Sequence, residues 1–154
     1  MSDLAARTAR VRRATARLCG QLGWAALHEV TLANGRRADI LALRADGGFV
    51  CIEIKSGLRD FQVDLKWPEY RDFADTLYFA VDTDFPEHLL PPEVGVIVAH
   101  DGDAVLVRGG TDHPLAAARR RALTQQFARL AAARLAALED PAGAAELRAA
   151  LRAE

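Results

Sequence analysis

Residues 38–57 read ADILALRADGGFVCIEIKSG. Two apolar runs flank a Gly-rich turn at Asp46-Gly47-Gly48, and each run turns ionic at the end away from that turn. In an extended chain successive side chains point to opposite faces, so Asp39, Leu41 and Leu43 share one face of their strand. By the same alternation Phe49, Cys51, Glu53 and Lys55 share one face of theirs. The ionic ends of a hairpin built from these strands lie at the same edge of the sheet. Loop parity decides whether they meet. A two-residue Asp46-Gly47 loop puts Asp39 and Glu53 on opposite faces. A three-residue loop sets Asp39 opposite Glu53 or opposite Lys55. Glycine stands at both candidate positions for the left-handed residue of a bulged three-residue loop, and that loop is the expected one.

Two carboxylates converging at a sheet edge repel unless something neutralises them. Mg²⁺ is suited to this, because it binds through one or two carboxylates together with waters and phosphate oxygens. Beside such an ion, Lys55 would orient the attacking water and offset charge building on a pentacovalent phosphorus. The competing reading is an ordinary surface ion pair between Glu53 and Lys55 that protects a sheet edge. Asp39, fourteen residues before Glu53 on a matching strand, favours the shared site.

The remaining chain supplies a frame for this hairpin. Residues 3–22 are rich in Ala and Arg, with Leu4, Val11, Leu18 and Leu22 on one stripe and Ser2 or Asp3 as cap, and they predict a helix ended by Gly20 and Gly23. The stretch WAALHEVTLA predicts a strand, and Asn34-Gly35 is the strongest short hairpin signal. Residues 58–73 are helical at both ends, with a second helix starting near Trp67 and Pro68 in its first turn. TLYFAVD is a strand of the fully buried type. VGVIVAH and AVLVR pair around His100-Asp101-Gly102-Asp103. A long Ala/Arg/Leu helix runs from about Leu115 to Leu138, Pro141 to Gly143 breaks it, and a short terminal helix follows. With no repeat and no Ser/Gly linker, residues 1–154 read as one domain, its core about 3–110 with a helical extension over about 115–154. The fold class is α/β, a mixed central sheet covered by helices on both faces.

The length suits one domain with a proper core, and 51% apolar residues furnish it. A net charge of −1 gives no overall attraction to nucleic acid, but the charge is segregated. Residues 1–22 carry Asp3 against Arg7, Arg10, Arg12, Arg13 and Arg17, and residues 112–135 carry Asp112 against Arg119, Arg120, Arg121, Arg129 and Arg134. Such runs either form local basic surfaces or simply solvate helices. Cys19 and Cys51 make neither a disulfide framework nor a metal motif, and read as buried free thiols of a reducing cytoplasm. No apolar run approaches the roughly 18 residues that cross a bilayer, and no secretory h-region is present. His88, His100 and His113 show no ligand spacing.

The hairpin resembles the PD-(D/E)XK nuclease superfamily, RADILAL supplying the Asp and CIEIKSG the E-x-K. TLANGRRADILAL, CIEIKSG and DFQVDLKWPEYRDFADTLYFAVD together resemble the MmcB family of bacterial DNA-repair proteins over about residues 5–110. The resemblance implies a restriction-endonuclease-like sandwich, a Mg²⁺- or Mn²⁺-dependent phosphodiesterase site, and damaged or structured DNA as partner. It implies Asp39 and Glu53 as metal ligands and Lys55 as the catalytic lysine. Two positions depart from the pattern. Ala38 stands where the motif's name has Pro, and residues 4–22 contain no acid to match the helix-1 Glu that many members carry. Glu29 is the nearest substitute; a plain two-residue Asn34-Gly35 turn pairs Val30 with Asp39 and turns Glu29 away, whereas a bulge brings it to the active face.

Around the site, Arg36 and Arg37 are phosphate candidates because they stand beside Asp39. Lys66, flanked by Trp67 and Tyr70, suits phosphate contact with base stacking; packing of Trp67 against the sheet is the competing reading. Asp60 and Asp64 either cap the two helical pieces or face the site together. The function expected is a metal-dependent deoxyribonuclease in DNA repair. The alternative is a catalytically inactive module of the same fold that binds DNA or another repair protein, with the Ala-rich helices as partner surface. An RNA-processing enzyme is a third option.

Overall fold

Helix α1, Asp3–Gln21, buries Val11, Ala14, Thr15, Leu18 and Cys19, one stripe at helical spacing. Its end is a Schellman closure: Gly23, at φ +74°, lets Trp24 N–H reach the Cys19 carbonyl at 2.8 Å and Gly23 N–H the Gly20 carbonyl at 3.1 Å. The expected stripe holds only in its middle. Leu4 and Leu22 are 54% and 42% exposed, Leu22 lying past the last helical turn. The computed structural model describes residues 3–63 and 67–153, so the proposed Ser2 cap, Asp64, Lys66 and the Asp60 side chain lie outside the described residues.

Six strands follow in sheet order: β1 Ala25–Thr31, β2 Arg37–Leu43, β3 Phe49–Ile54, β4 Thr76–Asp82, β5 Gly95–His100 and β6 Asp103–Arg108. β4 is parallel to both β3 and β5, and the other neighbours are antiparallel. The crossover from β3 to β4 carries helix α2, Leu58–Val63, and a 3₁₀ segment, Trp67–Phe73. Pro68 sits in the first turn of that segment, where its missing N–H is no loss.

The even-numbered side chains Ile40, Ala42, Val50, Ile52, Tyr78 and Ala80 form a core with Val11, Ala14 and Leu18 of α1. On the other face Phe79 meets the rings of Phe61 and Trp67 at 5.5 and 5.9 Å, both edge-on. This second face is not covered throughout. β6 alternates exposed and half-buried residues, with Val105 63% and Val107 51% exposed. The expectation of two covered faces fails there, where the side chains of Val105 and Val107 stand exposed.

The chain divides into two compact units, Met1–Leu115 and Ala116–Glu154. The second is a helical pair, α3 Ala117–Glu139 and α4 Pro141–Ala153. The expected break over Pro141–Gly143 contracts to Asp140. Its carboxylate accepts the Gly143 N–H at 3.1 Å, and Pro141 starts the new helix, so cap and proline together restart it at once.

Candidate active site where β2 and β3 part

The turn between β2 and β3 is built by its own residues. Arg44 N–H donates to the Gly48 carbonyl at 2.8 Å, and Gly47, at φ +85°, closes the loop with its N–H on the Arg44 carbonyl at 3.0 Å. The Asp46 carboxylate accepts the Gly48 N–H at 2.8 Å. That bond first, and the Arg44 guanidinium after it, hold the Asp46 carboxyl below its ordinary value. The result is the three-residue loop, Ala45 to Gly47. Leu43 faces Phe49 and Leu41 faces Cys51, so Asp39 falls opposite Glu53.

The β2–β3 ladder ends at Ile40 and Ile52. Beyond it β2 stays with β1, which pairs Val30 with Ala38 and Thr31 with Arg37. β3 stays with β4, and Lys55 N–H continues that ladder to the Ala80 carbonyl at 3.0 Å. The backbone donors exposed by the parting are taken by the two carboxylates. Asp39 Oδ2 accepts the Ile54 N–H at 2.8 Å, and Glu53 Oε1 accepts the Asp39 N–H at 3.3 Å. The acids therefore cross the gap in both directions.

Glu53, on the third of six strands, is 4% exposed, and Lys55, directly after that strand, is 6% exposed. The surface-pair reading of E-x-K fails on this point, since β3 is not an edge. Buried charges carry a desolvation penalty of several kcal/mol each by order of magnitude, so the position demands bonds or chemistry in return. Beneath them lies Cys51, with its Sγ 4.0 Å from Glu53 Oε1. Burial first, then the Glu53 and Asp39 charges, push its thiol well above the ordinary value. Burial likewise pushes Cys19 up to about 11. Neither thiol should react with a disulfide reagent at pH 8 until denaturant is added; immediate native reaction of Cys51 would mean that β2 and β3 open readily.

Glu29 occupies the register position opposite Asp39, between the pairs His28–Ile40 and Val30–Ala38. The hairpin at Asn34-Gly35 produces this register. Leu32 N–H meets the Arg36 carbonyl at 2.7 Å around a three-residue loop with Gly35 at φ +83°, in place of the two-residue turn. Glu29 itself takes φ +50°, which breaks the strand alternation. Its carboxylate, 51% exposed, lies 3.6 Å from Arg12 of α1.

The candidate DNA contacts separate in the same way. Arg36 is bonded to Glu69 at 2.5 Å. Tyr70 is buried, and its hydroxyl donates to the Arg37 carbonyl at 3.0 Å. Trp67 is half-buried against Phe79, with the Arg71 guanidinium 5.3 Å above its ring. Arg37 is exposed and shares the Asp39 face of β2. The sequence offered one signal for Cys51, its place two residues before Glu53 on the same face.

The family described as DNA repair protein MmcB-like matches residues 2–142. Among solved structures, the SPO1766 protein of unknown function from Silicibacter pomeroyi is 42% identical, with 89% of this chain and 94% of that chain covered and a TM-score of 0.84. No curated protein matches significantly. None of the described helices is long and apolar enough to cross a membrane.

Proposed function

We propose that this chain, which belongs to the MmcB-like family of DNA repair proteins, hydrolyses DNA phosphodiester bonds where β2 and β3 part. The observation that carries the reading is the meeting of the Asp39 and Glu53 carboxylates across that gap, with buried Lys55 following on the Glu53 strand. Asp39 and Glu53 would hold Mg²⁺ or Mn²⁺, which when bound polarises the phosphate and lowers the pKa of water. The donor set fits. Both groups offer hard anionic oxygens, the ligand type that Mg²⁺ and Mn²⁺ take.

The chain's own residues do the remaining work. The backbone donors hold both carboxylates in place, so little reorganisation accompanies the reaction. Lys55 supplies a fixed positive charge where charge accumulates on the phosphoryl oxygens. Arg37, exposed on the Asp39 face, contacts a flanking phosphate.

One observation favours the alternative, a non-catalytic module that binds DNA or a repair partner. Asp39 and Glu53 satisfy backbone donors of β2 and β3, a structural task that needs no metal. Melting with and without Mn²⁺ separates the two readings. At about 100 times its dissociation constant the ion should stabilise the wild type by about 2.7 kcal/mol, a rise of about 5 to 10 °C for a chain of this size. Asp39→Asn should lose that rise. Equal, unchanged melting of both proteins in millimolar Mn²⁺ would rule out the metal site.

A further inference from the structure

The five arginines of α1 are divided by the fold into two sets. The two half-buried ones are neutralised by acids of the sheet. Arg7 bonds Asp82 at 2.6 Å and lies 3.8 Å from Asp84, and Arg12 lies 3.6 Å from Glu29. The other three, Arg10, Arg13 and Arg17, are exposed and stand at helical spacing along one side of the helix. Arg17 donates to the Gly102 carbonyl at 3.1 Å. Arg10 and Arg13 take part in no ion pair or side-chain hydrogen bond with a described residue. Asp3 is the only acid of the helix. Arg10 lines a cleft with Asp82, Asp84 and Asp101, but the first two lie with Arg7 and the third with His100 at 3.1 Å.

Three cations at helical spacing thus make no ion pair with the described residues. At 1.5 Å per residue the line from Arg10 to Arg17 is about 10 Å long. Duplex DNA advances about 3.4 Å per phosphate along one strand, so the line matches on the order of three phosphates. The opposing charge on such a backbone is what a row of unneutralised guanidinium groups recognises.

We infer that Arg10, Arg13 and Arg17 form a second DNA-backbone contact, on the face of the sheet opposite the Asp39 and Glu53 side chains. The inference rests on the reading of the protein as one that acts on DNA. Because α1 packs on the face carrying Ile40 and Ile52, the stripe does not grip the phosphate held at the carboxylates. It grips another stretch of the polymer or another arm of a branched molecule, and so raises affinity without entering the chemistry.

The test is fluorescence anisotropy of the full chain with a labelled duplex and a labelled flapped duplex, across a salt series. For the Arg10→Gln/Arg13→Gln/Arg17→Gln variant the slope of log affinity against log salt should fall by about 3, one for each phosphate that no longer meets a guanidinium. An Arg119→Gln/Arg121→Gln/Arg148→Gln variant serves as the charge-matched control and should keep the wild-type slope to within about 1. If wild type binds DNA and the α1 variant keeps its slope, the stripe is overturned and the nuclease reading stands. An equal fall in the control would also overturn it, since net charge alone would then explain binding. If wild type binds neither DNA, both the stripe and the DNA-acting reading fail.

Discussion

Lys55→Met should lose most DNA cleavage while the protein stays folded. Removing one preorganised donor that acts on transition-state charge costs about 10²- to 10³-fold in rate, and in the proposed reaction Lys55, directly after β3, is that donor. Methionine keeps the length of the stem and removes the ammonium. Lys55 is 6% exposed, and removing one charge from a buried cluster that keeps its carboxylates is destabilising, by about 3 to 5 kcal/mol where the charges are paired. The melting temperature should therefore fall without metal, and Mn²⁺ should recover part of the loss by neutralising the two carboxylates. Affinity for Mn²⁺ should hold or improve, because a cation beside a divalent ion opposes its binding. Affinity for DNA should change little, as one phosphate contact among several is removed. The decisive pattern is intact metal and DNA binding with abolished cleavage. If the wild type also fails to cut nicked, flapped, branched and single-stranded DNA, and Lys55→Met loses DNA binding outright, the lysine is a binding residue. The non-catalytic module is then the correct reading.

Asp75→Ala should be among the most destabilising single changes outside the apolar core. Asp75 is 3% exposed and precedes β4. Its Oδ2 accepts the Phe49 N–H at 2.7 Å, and its Oδ1 accepts the Leu115 N–H at 2.9 Å. Its backbone adds two bonds, N–H to the Phe49 carbonyl at 2.8 Å and carbonyl from the His113 N–H at 2.7 Å. One residue thus ties the first residue of β3 to the segment that follows β6. That segment passes close to the sheet at Gly110, where a Cβ would come within 2.9 Å of the Leu77 carbonyl oxygen. Alanine would strand two donors at about 1 to 3 kcal/mol each. For a chain of this length the melting temperature should fall by about 5 to 15 °C. Asp75→Asn keeps one acceptor oxygen and should fall between the two. Denaturant midpoints for Asp75→Ala within error of wild type would show that solvent replaces the carboxylate and that Phe49 is held by its ladder alone. The consequence reaches the site, because the position of Phe49 sets the register that brings Glu53 opposite Asp39.

Local chemistry settled more of this protein than its motifs did. The facing of Asp39 and Glu53 followed from two local facts, the two-residue period of a strand and a glycine where a bulged loop needs a left-handed residue. Both act over a few residues, so residues 38–57 carry them whole. The burial of TLYFAVD and the restart at Trp67-Pro68 were legible for the same reason. Only the tertiary structure decided that β3 is interior, which turned Glu53 and Lys55 from surface charges into buried ones. It alone decided that Glu29 leaves the strand alternation, and which arginines of α1 are paired. Arg7 and Asp82 are separated by 75 residues, and Asp75 and Leu115 by 40. Partners so far apart meet only after the sheet has assembled, and no period or spacing in the chain records which of several equivalent arginines or aspartates will be the one within reach.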